Sequence, residues 1–160
     1  MTGEIPMDEQ ASVAASKLQD RFGGDIVEVR EFRDETTVVV AAERIHEVCV
    51  LLRHDPELSF SMLIDVTAAD YVQQRHAFAV VYHLYSLTTN TRLRLKADVP
   101  ADAPRLRSVA DVWPAADWHE RETYDMFGIE FEGHPDLRRI LMDEDYEYHP
   151  LRKDFPLHGK

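Results

Sequence analysis

Cysteine is nearly absent: Cys49 stands alone in 160 residues. One thiol excludes an internal disulfide and any zinc or iron–sulfur site built from four cysteines of this chain. Cations are also scarce, with eighteen Lys and Arg against thirty Asp and Glu, a net charge of -12 and a pI near 5.0. General nucleic-acid binding draws its affinity from clustered cations on phosphates, so nucleic acid is not an expected partner. No apolar run approaches the roughly 18 residues of a membrane span. The longest, Ala77 to Tyr82, stops at His83, and the opening MTGEIPMDEQ lacks the basic patch and apolar core of a signal peptide. A soluble chain is expected, reaching a membrane only through a partner. The six glycines form no phosphate cradle, there is no nucleophile elbow, and His119-Glu120 fails as a zinc-protease motif because Thr123 stands where a second histidine is required.

What is present is the composition of a globular protein, 44% hydrophobic and 30% charged. Ala11, Ala14, Leu18 and Phe22 predict a helix over Asp8 to Phe22, stopped at Gly23-Gly24. Ile26–Val29 and Thr36–Val40 read as a hairpin. Ile45, Val48, Cys49 and Leu52 give a second helical stripe, broken before Pro56. Strands are expected over Ser59–Val66, His76–Leu87 and the run in which Leu93, Leu95, Ala97 and Val99 alternate with Arg92, Arg94, Lys96 and Asp98. Short helices are expected around Leu106–Val112 and over Asp117–Phe127, the latter closed by Gly128. The order predicts an α+β fold, helices on a mostly antiparallel sheet.

The expected domain covers residues 1–141, and residues 142–160 differ in kind. They show no sustained period, contain Pro150 and Pro156, and yet carry Met142, Tyr146, Tyr148, Leu151, Phe155 and Leu157. Ordering nineteen residues of backbone costs more than burying six such side chains returns. The stretch therefore reads as an extended docking arm that orders against a second surface. Ahead of it, Trp118, Glu122 and Asp125 share one helical face, with Arg121 in reach of Asp125 at i+4. Three readings fit: paired carboxylates for acid/base work, a solvated helix with local ion pairs, or an interface helix anchored by Trp118. Arg138-Arg139 and Arg152-Lys153 set further bases among the acids, as contacts for another surface would.

The stretch ADWHERETYDMFGIEFEGHPDLRRIL (Ala116 to Leu141), with HPLRKDFP (His149 to Pro156), resembles the C subunit of bacterial respiratory complex I, the NADH:quinone oxidoreductase. The likeness extends more loosely through Leu63–Tyr71 and Val80–Tyr82; Tyr148 departs from it, since a glycine is expected there. The resemblance implies a structural subunit of the enzyme's peripheral arm, without catalytic, metal or cofactor residues, packed against the quinone-site subunit, the complex's D component, which forms much of the quinone pocket. It implies that FMN and iron–sulfur clusters sit in partner subunits, and that the complex lies on the cytoplasmic face of the inner membrane. It makes Trp118, Glu120, Arg121, Glu122, Asp125, His134, Arg138, Arg139, His149, Leu151, Arg152, Lys153, Asp154 and Phe155 partner-interface residues. Two other readings stand beside it: the equivalent subunit of a related membrane-bound hydrogenase or of a relative fed by another donor, and a free-standing enzyme using Glu122 and Asp125.

Overall fold

The computed structural model describes residues 7–154. In α1 (Met7–Phe22), Ala11, Ala14, Ala15 and Leu18 form one buried stripe, and the helix ends where Gly23 turns to φ +56°. β1 (Ile26–Phe32) and β2 (Glu35–Val40) form the expected hairpin. Its two-residue loop, Arg33-Asp34, has both residues at positive φ, the backbone that suits a hairpin's twist. In α2 (Ile45–His54) the predicted stripe of Ile45, Val48, Cys49 and Leu52 is wholly buried.

Next in the chain come β3 (Met62–Tyr71), the single turn α3 (Val72–Arg75), β4 (Ala77–Ser86) and β5 (Thr91–Pro100). The sheet order is β1-β2-β5-β4-β3, antiparallel except for the parallel β2–β5 pair. The fold is thus α+β with a mostly antiparallel sheet, as the sequence implied. On β5 the alternation is realised: Leu93, Leu95, Ala97 and Val99 pair with Leu84, Tyr82, Val80 and Phe78 and join one core with the helical stripes. Each such side chain contributes about 1.5–3 kcal/mol on burial. The opposite row carries Arg92, Arg94, Lys96 and Asp98, where Arg94 pairs with Glu35 (2.7 Å) and Arg75 with Asp98 (2.8 Å).

Two expectations fail locally. The strand expected from Ser59 begins only at Met62, because Ser59 adopts φ +47° and turns the chain so that Leu58 and Phe60 drop into the core. It then runs on to Tyr71. The helix expected around Leu106–Val112 is instead a three-residue strand, β6 (Arg105–Arg107), with turns after it. Leu106, Val109 and Val112 are all buried, at a spacing of three that imitates a helix. β6 runs parallel to β7 (Glu130–Glu132), and between them lies α4 (Ala116–Phe127). Among the described residues no helix is long and apolar enough to cross a membrane.

Candidate functional site

The signature stretch forms α4 and the chain that folds back across it. α4 turns Ala116, Glu120, Thr123, Met126 and Phe127 to the interior, at helical spacing. The Thr123 hydroxyl lies 3.1 Å from Val66 O and 2.9 Å from His119 O, tying the helix to β3. Trp118 is 60% exposed and stacks under the Arg121 guanidinium at 5.5 Å, while Glu122 is exposed. The two carboxyls paired in the acid/base reading, Glu122 and Asp125, therefore lie in different environments. The two buried carboxyls of α4 are Glu120 and Asp125, and they face different surroundings.

Asp125 is fully buried and is the centre of the site. Its Oδ1 accepts from Arg139 Nη1 at 2.7 Å, and its Oδ2 accepts three successive backbone N–H groups, of Ile140, Leu141 and Met142, at 3.1, 2.7 and 2.9 Å. Burial pushes the carboxyl up, but the Met142, Leu141 and Ile140 amides and the Arg139 guanidinium outweigh it and hold the group below the usual carboxylate range. The cation expected at Asp125 was Arg121, one turn away. Arg121 donates instead to the carbonyls of Arg138 and Arg139, at 3.2 Å each, bracing the segment that supplies Arg139.

The arm then closes the end of the helix. An α-helix leaves its last four carbonyls without partners inside the helix. Here Tyr124 O accepts from Gly128 N, Asp125 O from Arg139 Nη1 and His149 Nδ1, Met126 O from Leu151 N, and Phe127 O from Arg152 Nε. Cations at a helix C-terminus also complement its dipole. Arg139 reaches on to Tyr148 O (3.0 Å), Lys153 N donates to Asp70 Oδ2 (2.8 Å), and Arg152 lies 5.1 Å over the Phe78 ring. Burial, then the nearby Arg152 and Arg139, lower the His149 imidazole against its bond to Asp125 O, which keeps the ring neutral at pH 7 with Nδ1 as donor. Tyr148, where a glycine was expected, is not among the residues with positive φ, so this turn needs no glycine.

His134 is held by its own domain: Nε2 donates to Asp117 O (2.9 Å) beside Asp117 Oδ1, and Nδ1 accepts from Asp136 N. Arg138 is exposed and pairs with Asp136. Leu151, Lys153 and Asp154 expose their side chains. Phe155 lies outside the described residues. Residues 142–154 carry no helix or strand, and they bond to their own domain. These polar bonds add to apolar burial in ordering the segment, and they pair carbonyls of α4 that water would otherwise satisfy. Sequence reasoning missed Asp70 and Ser108, the second of which holds Glu120 at 2.6 Å. No local spacing points to these roles, since Lys153 and Glu120 lie 83 and 12 residues from them.

Gly128 sits at the crossing of helix and arm, at φ +78°, where an added Cβ would meet Arg152 Nη2 and His149 Nε2 at 2.7 Å. Gly128→Ala is expected to cost about 1–2 kcal/mol through the left-handed backbone alone. It should also displace both side chains, so that trypsin cuts at Arg152-Lys153 several-fold faster than in the parent. Unchanged cleavage would show that the arm does not depend on this crossing.

Residues 38–160 match the family described as "Respiratory-chain NADH dehydrogenase, 30 Kd subunit". The chain is 49% identical over 147 residues to the C subunit of the NADH-quinone oxidoreductase of Geobacter sulfurreducens, covering 91% of this chain and 90% of the relative. It is 52% identical over 127 residues to the subunit of that name in Roseiflexus sp., covering 79% and 73%. Among solved structures it is similar to a chain of the membrane-bound sulfane sulfur reductase, an archaeal respiratory membrane complex, with TM-score 0.78, 25% identity, and 92% and 86% of the two chains covered. It is also similar to Nqo5, solved as a trypsin-resistant fragment (1-134), with TM-score 0.64, 33% identity, and 83% and 100% covered.

Proposed function

Since this chain belongs to the family of the respiratory-chain NADH dehydrogenase 30 kDa subunit, a component of an oxidoreductase complex, we propose that it is a structural subunit of the peripheral arm of NADH:quinone oxidoreductase. In this reading it has no active site and no cofactor of its own, and it supports the quinone-pocket subunit while FMN and iron–sulfur clusters in other subunits carry the electrons. The complex would sit on the cytoplasmic face of the inner membrane. One observation carries the reading: the signature residues are spent on seating an arm. Asp125 accepts four donors from its own chain and Arg139 is bound to Asp125 and Tyr148, so both are committed to seating the arm. A single cysteine likewise supplies too few thiolates for a cluster.

The surface left for a partner is apolar at separate points. Trp118 on α4 is 60% exposed, and Leu141 and Leu151 on the returning chain are 62% and 56% exposed. Large apolar anchors of this kind, with Trp foremost, dominate binding energy at protein interfaces.

The test is mild-detergent extraction of host membranes, capture through a tag on this chain, and mass spectrometry. Recovery with a quinone-pocket subunit, iron–sulfur subunits and a flavin subunit is the expected result. The likeness to the sulfane sulfur reductase chain favours a second reading, the equivalent place in a related respiratory complex. Recovery with hydrogenase-type or sulfur-reducing subunits would move the assignment there. A chain recovered alone would overturn both.

A further inference from the structure

Glu120 is the other buried carboxyl of α4, fully out of solvent. Unlike Asp125, it meets neutral donors: the Ser108 hydroxyl at Oε1 (2.6 Å) and the Val109 N–H at Oε2 (2.9 Å). The Ser108 Oγ in turn accepts Ala110 N–H at 3.1 Å. None of the ion pairs among the described residues includes Glu120. Its negative charge also bears on two fully buried groups, the Tyr82 phenol of β4, which has no hydrogen-bond partner, and the Cys49 thiol of α2. The charged groups that act on it are Asp117 in its own helix and Asp111 in the loop after β6, both negative. Asp111 is itself tied to His46 (2.9 Å) and Arg107 (3.8 Å).

An ionised carboxylate placed here has two neutral donors for its lone pairs, no cation, and two acids nearby. Charge in such a setting is opposed by the loss of water and by its neighbours, and two neutral hydrogen bonds offset only part of that. With a proton the same carboxyl is neutral, and the Ser108 oxygen lies within reach of its O–H. We propose that Glu120 is a proton-operated latch: protonated, it fastens α4 to the loop after β6, and loss of the proton puts an unpaired negative charge in the interior and loosens that attachment. Burial, partly countered by Ser108 and Val109 and reinforced by Asp117 and Asp111, lifts the group to about 7, from 4.5 in the unfolded chain. The latch is at full strength below the unfolded value, weakens as pH rises, and is spent once pH has passed the folded value.

The full chain, with glutamate side-chain carboxyls labelled with carbon-13, tests both halves. The Glu120 signal should titrate near neutrality. Amide protection in α4 and residues 108–113, corrected for intrinsic exchange, should fall about tenfold between pH 6 and pH 8. In Glu120→Gln the fall should vanish, while the β1–β2 hairpin behaves alike in both proteins. A carboxyl that titrates below about 5.5, or a protection profile shared by parent and Glu120→Gln, would overturn the latch. If the glutamine variant does not fold, Ser108→Ala decides the point. Losing a donor to the charged form should move the Glu120 midpoint upward, and a midpoint that stays in place refutes the assignment.

Discussion

Asp125→Ala is expected to destabilise the isolated chain by about 3–5 kcal/mol at pH 7, the range for breaking a buried ion pair by removing one partner. The size reflects the groups left behind. The Arg139 side chain, 8% exposed, keeps two carbonyls but loses its carboxylate, and the amides of Ile140, Leu141 and Met142 lose their common acceptor. Unpaired buried donors cost far more than hydrogen bonds return when made. Asp125→Asn does not rescue the site, because one amide face points hydrogens either at Arg139 or at the three N–H groups. Against a total stability of about 5–15 kcal/mol for typical domains, roughly a fifth or more would be lost. Denaturant titration of parent and variant measures it, and a loss below about 1 kcal/mol would mean that the pair behaves as a surface contact. Acid should mimic the variant. Asp125 is held below the usual range, so its contribution is present above the unfolded value and fades as pH falls through the folded one. The lowered His149 acts in the same direction, losing its contribution as pH drops below the ordinary histidine value.

Removing residues 142–160 altogether is expected to cost the fold less than Asp125→Ala, yet to abolish assembly. Truncation takes away the Met142 and Leu151 amides, His149 and Arg152, but it uncovers the groups they served. Asp125 keeps Arg139 and two amides, and the carbonyls at the end of α4 pass to water, which satisfies them. A point substitution strands buried partners, whereas a deletion exposes them. The truncated chain should thus unfold cooperatively within about 2 kcal/mol of the parent, as expected when groups are solvated instead of left unpaired. In the cell it should be missing from the membrane complex, because the arm with Leu151 is gone from the proposed contact surface. A truncated chain that still co-purifies with the complex would remove the arm from the proposed function.

Particular elements mark how far one-dimensional reading can reach. α2 and β5 were legible because a stripe at 3.6 residues and an alternation of two each say which face is buried, and both faces are. β6 was not legible. Three residues are too few to display a period, and β6 is a strand only because β7, some 25 positions later, lies beside it. Asp125 was legible as a site residue, but its partner was not. Arg121 met the local i+4 rule, while Arg139 arrives on a chain that has turned back over the helix.

By itself the sequence determined the fold class, the amphipathic elements and the family resemblance, because these rest on spacing along one chain. The tertiary structure decided which carboxyls of Glu120, Glu122 and Asp125 are buried, and in what company: Asp125 among a cation and three amides, Glu120 among neutral donors, Glu122 in water. The physical reason is that a charge's free energy depends on lost water and on donors brought from distant parts of the chain. No local period records either quantity.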